Sequence, residues 1–168
     1  MAELLLGCGN SRRKFLGGVD PEWQNLTTLD IDPDCGADVI HDLNVTPYPF
    51  ADCQFDEIWA QEVLEHFGTQ GDWRGWFAQF SEFYRILKPG GLFFIASPKF
   101  DSPWAWGDPG HTRIISPEAF TFLDQSEYAR QVGKTSMTDY RHVWKGDFRM
   151  RVCDESLEHS NVYVLERV

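Results

Sequence analysis

The segment Glu3-Leu4-Leu5-Leu6-Gly7-Cys8-Gly9-Asn10 carries an apolar run straight into a Gly-x-Gly turn. A buried strand that stops at such a turn is how open parallel α/β sheets build a nucleotide site. The first glycine permits the tight turn, and the second lets backbone approach a ligand closely. Alone, the turn reads equally well as a plain connection, because Gly-rich turns after strands are common. A second landmark follows in Thr27-Thr28-Leu29-Asp30-Ile31-Asp32, again an apolar run ending in acid. Asp30 follows Gly9 near the ~20-residue spacing that brings a carboxylate to a ribose diol. An ionised carboxylate accepts from two hydroxyls at once, which a neutral side chain does less well.

The rest of the chain is patterned to match. Short apolar runs alternate with amphipathic ones, which predicts a mostly parallel sheet with helices on both faces. Strands are expected near 3–7, 26–31, 38–41, 55–60 and 91–97, with two more around 135–145 and 160–167. The longest helix is expected over 73–87, where Trp73, Trp76, Phe77, Phe80, Phe83, Tyr84 and Leu87 recur at three- and four-residue steps. Lys88-Pro89-Gly90-Gly91 should end it, with glycine as the left-handed cap. A further helix is predicted to open at Ser116-Pro117-Glu118, with Ser as N-cap and Pro in the first turn. At 168 residues, without linkers or repeats, the chain is expected to form one domain over 1–168.

Composition narrows the function. A net charge of −11 argues against a general nucleic-acid surface, leaving only a local basic patch at Arg12, Arg13 and Lys14. Cys8, Cys35, Cys53 and Cys153 show no Cys-x-x-Cys spacing, so no metal site is expected and reduced thiols are. No apolar stretch reaches the ~18 residues of a membrane span, and no signal peptide precedes the first strand. A cytoplasmic protein without membrane partners is expected.

Several segments, in order, resemble a class I S-adenosylmethionine (SAM)-dependent methyltransferase of the small methyltransferase-domain type. Leu6-Gly7-Cys8-Gly9-Asn10 resembles its first glycine motif, and Leu29-Asp30-Ile31 its ribose-binding strand end. Ala37-Asp38-Val39-Ile40-His41-Asp42-Leu43 is similar to its third strand with the adenine-contacting acid. Phe55-Asp56-Glu57-Ile58-Trp59-Ala60-Gln61-Glu62-Val63-Leu64-Glu65-His66 resembles its fourth strand and the turn over the cofactor. Tyr84-Arg85-Ile86-Leu87-Lys88-Pro89-Gly90-Gly91-Leu92 resembles the approach to its fifth strand.

The resemblance implies a Rossmann-like seven-stranded sheet with an antiparallel last strand and the cofactor across the strands' carboxyl ends. SAM, leaving as S-adenosylhomocysteine, would then meet Gly7, Cys8, Gly9 and Asn10 through its methionine part, Asp30 through its ribose and Asp42 through its adenine amine. Ile31 and Leu43 would sandwich the adenine, and Gln61 would lie in the turn over the cofactor. Two departures stand out. Leu5 occupies the place of an acid that normally helps position the cofactor's amino end, with Glu3 the nearest substitute on the same strand face, and Asn10-Ser11 replace a third glycine.

For the chemistry, a hydroxyl acceptor needs a general base, whereas amines and thiolates need little. His66 and His111 are the candidate bases. Trp104 and Trp106, in the long irregular stretch 98–115, are candidates for an aromatic wall over the substrate, and Arg113 for holding an anionic group. The chain starts at its first strand, so amino-terminal cap helices are not expected, which suits a large substrate or a partner or second subunit completing the site. A methyltransferase acting on a small molecule or a protein-presented group is the leading expectation. Its rivals are a non-catalytic SAM-binding sensor or partner subunit, a nicotinamide-dependent oxidoreductase, and a nucleic-acid methyltransferase using the basic patch.

Overall fold

In a computed structural model, residues 1–14 and 21–168 are described. Seven strands form one sheet in the order β3-β2-β1-β4-β5-β7-β6. They are β1 (Glu3–Leu6), β2 (Leu26–Asp30), β3 (Val39–Ile40), β4 (Phe55–Gln61), β5 (Leu87–Pro98), β6 (Phe148–Asp154) and β7 (Ser160–Arg167). The first five run parallel, and β7 inserts antiparallel between β5 and β6. The chain starts in the middle, builds outward through β2 and β3, then crosses to β4. The order therefore reverses between β1 and β4, the place where such sheets open a crevice at their carboxyl ends.

Alternation along the strands separates two faces. Leu4 and Leu6, Ile58 and Ala60, and Phe93 and Ile95 point into a large core, while Leu5, Trp59 and Phe94 point to the opposite side. Helix α1 (Trp73–Ile86) covers the first face with Phe77, Phe80 and Phe83. Phe80 is fully buried, its ring centroid 4.4 Å from Trp76 and 5.5 Å from Phe83. Two short helices, α3 (Pro117–Phe120) and α4 (Gln125–Gln131), add Phe120 and Tyr128 to the same core. The fourth helix, α2 (Trp104–Gly107), is a single turn.

Where the pattern leads to helices on both faces, the opposite face is covered among the described residues by side chains from loops and strands. Trp59 stacks on Phe94 at 4.0 Å, and Trp23 meets Trp59 edge-on. Lys14 lies 4.8 Å from the Trp59 ring and pairs with Glu3 and, at 3.0 Å, with Glu57. The expected basic patch is dismantled by this arrangement. Lys14 is buried, and Arg12 donates to the carbonyls of Gly9, Cys35 and Gly36, leaving Arg13 as the exposed member.

Two local expectations, the sixth strand and the end of the long helix, are corrected, whereas α3 starts at Pro117 with Ser116 as its N-cap, as expected. The sixth strand lies at 148–154 and not at 135–145, where Tyr140 and Trp144 instead pack against Phe77 of α1. Aromatic residues favour strands but served here as core plugs from a turn. Helix α1 ends one residue early because Leu87 is already extended, and the left-handed Gly90 lies within β5 rather than at the helix cap. Ser116 holds the N-cap position of α3 without a side-chain cap bond. Among the described residues, no helix is long and apolar enough to cross a membrane.

Candidate active site

The glycine turn and the acidic end of β2 are joined physically. Gly7 and Gly9 adopt φ of 56° and 46°, the left-handed region that glycine enters freely. A Cβ at Gly7 would sit 2.5 Å from Val63 Cγ2, so the close pass of β1 by the end of β4 also requires glycine. At Gly9 the space is open, and its N–H donates to Asp30 Oδ2 at 2.7 Å. The other oxygen, Oδ1, accepts from the Asp32 N–H at 2.9 Å. Asp30 thus fixes the turn while lining the crevice, and each oxygen retains a further lone pair.

A cavity of about 340 Å³ opens there. Gly7, Asp30, Ile31, Asp42, Leu43 and His66 line it, as do His41, Asn44, Glu62, Val63 and Phe67. Ile31 is 63% exposed while Leu43 is buried, and both contribute apolar surface to the cavity. Asp42 Oδ1 accepts from the Asn44 N–H and side-chain amide, an Asx turn that holds the carboxylate at the cavity.

Cys8 and Gln61 line a neighbouring smaller cavity with Gly7, Ser11 and Arg13, and Gln61 donates to the Arg13 carbonyl at 2.9 Å. Asn10 is exposed and lines neither. Burial pushes the Cys8 thiol up to about 11, and it packs with Cys35 and Trp59. Glu3 does not stand in for the missing acid at Leu5. It lies at the other end of β1, where it accepts from Lys14 and from the Gln24 N–H.

The two candidate bases come together. The His66 and His111 rings meet edge-on with centroids 4.5 Å apart. His66 belongs to a 3-10 turn (Leu64–His66) after β4, and His111 to the long loop after β5. Thr112 stitches the two, donating its N–H at 2.8 Å and its hydroxyl at 3.1 Å to the Glu65 carbonyl. His111 Nδ1 lies 3.2 Å from the Ala105 carbonyl, which only accepts, so Nδ1 carries a proton and the neutral ring would hold its lone pair on Nε2. Glu65, next to them, is 2% exposed, and among the described residues neither carboxylate oxygen meets a donor at hydrogen-bond geometry. Burial, reinforced by the like charge of Glu62, pushes its carboxyl up to about 8.

Arg113 is 3% exposed. It donates Nε to the Leu64 carbonyl and Nη1 to Gln79 Oε1, each at 2.8 Å, and stacks near Phe67 and Trp76. Burial lowers its pKa to about 10. Arg113 borders a second cavity of about 300 Å³ whose walls include Trp73, Trp76, Phe77, Phe122 and Tyr140. Trp104 and Trp106 are 58% and 62% exposed on α2, with Ala105 between them buried.

His41, Asn44, Glu62, Val63 and Phe67 line the first cavity without having stood out as site residues in the sequence. Glu62 carries the clearest hidden signal, a φ of 54° immediately after β4, since strained backbone of this kind tends to cluster at functional sites, although Cys53 at 52° lies outside the cavity. Nothing in the residue type of Glu62 announces this.

A reversed-order parallel sheet with a glycine turn, a strand-end Asp and an antiparallel β7 beside β5 fits the class I SAM-dependent methyltransferases. The chain belongs to the methyltransferase-domain family, whose sequence profile ("Methyltransferase domain") matches residues 4–95. Its cofactor is SAM. Among solved structures, a SAM-dependent methyltransferase from Archaeoglobus fulgidus is similar at 16% identity and a TM-score of 0.59 over 99% of this chain and 86% of that one. One from Aquifex aeolicus is similar at 15% identity and 0.55, over 100% and 82%. A third, at 14% and 0.56 over 99% and 82%, comes from a complex between the Haloferax volcanii Trm112 methyltransferase activator and a candidate methyltransferase. None of the curated proteins compared with the chain matches it in sequence.

Proposed function

We propose that this protein moves the SAM methyl group to a nucleophile on a small molecule or on a group presented by a protein, in the cytoplasm. The observation that carries this reading is the convergence of His66 and His111 at the edge of the cavity holding Asp30 and Asp42. Bound SAM supplies an electrophilic methyl on a sulfonium, and in-line attack on it is accelerated mainly by positioning. Asp30 holds the ribose, Asp42 the adenine amine, and Ile31 with Leu43 the adenine faces. Gly7, Cys8, Gly9 and Gln61 surround the methionine end, and Asn10, outside both cavities, is left without a cofactor role. His111 Nε2 takes the proton of a hydroxyl acceptor, with His66 beside it. Residues 64–66 and 111–113 also border the aromatic cavity through Arg113, which suits an acceptor with a flat apolar part and an anionic group.

Exposed Trp104 and Trp106 favour a second reading, in which a partner protein covers α2 and completes the site. The Haloferax volcanii neighbour, from a complex with a methyltransferase activator, is consistent with that.

Calorimetric titration with SAM, S-adenosylhomocysteine and NAD tests the cofactor half, with binding of both adenosyl ligands and not NAD expected. On an acceptor found by screening with radiolabelled SAM, His111→Ala should lower turnover by about 10²-fold or more with little change in SAM affinity. Unchanged turnover removes His111 as the base.

A further inference from the structure

Glu65, His66 and His111 form a donor cluster, and Glu65 has no part in the methyl-transfer reading. One donor atom from each lies within 4.8 Å of the others. We propose that these three side chains bind a divalent first-row transition-metal ion such as Zn²⁺. The proposal goes beyond the methyl-transfer reading and stands without it.

Glu65 carries the argument furthest. Burying a carboxylate with no partner on either oxygen is costly unless a proton or a cation neutralises it. The surroundings draw positive charge to the site, as a proton or as a metal ion, since Glu62 neighbours Glu65 and Asp108 Oδ2 lies 4.0 Å from His111 Nε2, against the guanidinium of Arg113. His111 is prepared as a ligand, because its Nδ1–H bond to the Ala105 carbonyl leaves Nε2 as the free lone pair. Such a bond from the second ring nitrogen is the usual outer contact behind a metal-bound imidazole.

The donor set also selects the ion. Two imidazoles and one carboxylate suit zinc, iron, cobalt or nickel, whereas magnesium and calcium prefer oxygen throughout. At Zn–N distances of about 2.0–2.1 Å, tetrahedral ligand atoms lie about 3.3 Å apart. The donor atoms, within 4.8 Å of one another, would have to draw closer to reach that spacing, and His66 is exposed and so has room to change rotamer. Three protein ligands leave a fourth position for a water or an oxygen-bearing acceptor, and His66 places it beside the cofactor cavity. Metal binding and proton transfer use the same imidazole lone pairs. Loaded with an ion the two histidines are ligands, and stripped of it they are bases.

The test uses the full chain treated with a chelator and then dialysed. Competition between the protein and a chromophoric chelator for Zn²⁺, together with the visible spectrum of the Co²⁺-loaded protein, reads the site directly. One equivalent is expected, bound at least about tenfold more weakly by His66→Ala and by His111→Ala, with a cobalt spectrum free of thiolate charge transfer. Glu65→Gln should weaken binding too. If that buried substitution prevents folding, the two histidine variants still decide, with unfolding midpoints as the check that they are folded. Failure of the parent to bind an equivalent overturns the proposal. So does unchanged binding in His111→Ala, which would put the ion on surface groups such as Cys53 or Cys153. SAM titration of the same samples reads the methyl-transfer proposal separately.

Discussion

At the residue scale, two glycines with the same backbone conformation do different work. Both sit at positive φ, but only Gly7 has a neighbour, Val63, where a Cβ would go. Gly9→Ala should therefore cost about 1–3 kcal/mol of backbone strain, and Gly7→Ala more, because the branched Val63 has no flexible end to move aside. Val63→Ala should recover part of the Gly7→Ala loss. Urea unfolding of the single and double variants checks this, and equal costs for both glycines would show the Val63 contact to be irrelevant. Asp30 likewise has two tasks, anchoring the turn through Gly9 and facing the ribose position. Asp30→Ala should weaken SAM binding by at least about 1.5–3 kcal/mol, the range for a hydrogen bond to a charged group. Calorimetry measures it, and parent-like affinity would refute the ribose assignment.

At the scale of elements, β1 is held at its base by an electrostatic clamp and at its top by the glycine turn. Burial works against the charge of Glu3, but Lys14, the Gln24 N–H and Glu57 together hold its carboxyl below the usual value of 4.5. Glu3 is therefore ionised in the folded chain at pH values where the unfolded chain protonates it. The stability it contributes is complete above about pH 4.5 and is lost as pH falls through the lowered folded value. Replacing Glu3 with Gln should lower stability at pH 7 and make the decline toward pH 3 shallower. Parallel urea-midpoint curves for parent and variant would show that the clamp contributes no acid sensitivity.

The same element shows what was legible in the sequence and what was not. The alternation that sends Leu4 and Leu6 one way and Leu5 the other, and the glycines that end the strand, are local properties, so β1 and its turn could be read from the chain. That Glu3 pairs with Lys14, and that Arg12 folds over the carbonyls of Cys35 and Gly36, depends on how a loop returns across a sheet face. No periodicity encodes it. The misplaced sixth strand has the same origin. Tyr140 and Trp144 have strand-like side chains, but α1 offers Phe77 as a partner, and tertiary packing outweighs propensity. His66 and His111 could each be picked out by residue type, whereas their meeting, with Glu65 beside them, needed the fold.

At the scale of the whole molecule, the order of strands sets the unit of folding. The family's sequence profile ends at residue 95, inside β5, yet β5 is completed only by β7, which pairs with it from Leu92↔Glu166 to Pro98↔Ser160. The core follows the same rule, since Phe93 and Ile95 share one cluster with Trp144, Phe148, Tyr163 and Leu165. Without the last strands, β5 would present an unpaired edge and Phe80 would lose the Phe148 ring at 6.4 Å. The amino-terminal part is therefore expected not to unfold separately, and residues 1–168 should melt as one domain. Trp59 reports from the β4 side of the sheet and Trp144 from the carboxyl-terminal core. Tryptophan fluorescence of Trp59→Phe and Trp144→Phe variants, with far-ultraviolet circular dichroism, should give coincident urea transitions for each variant. SAM at 100 times its dissociation constant should add about 2.7 kcal/mol to both signals together. Two separated transitions, or a SAM shift confined to one signal, would divide the chain into independent parts and confine the cofactor's stabilising effect to one of them.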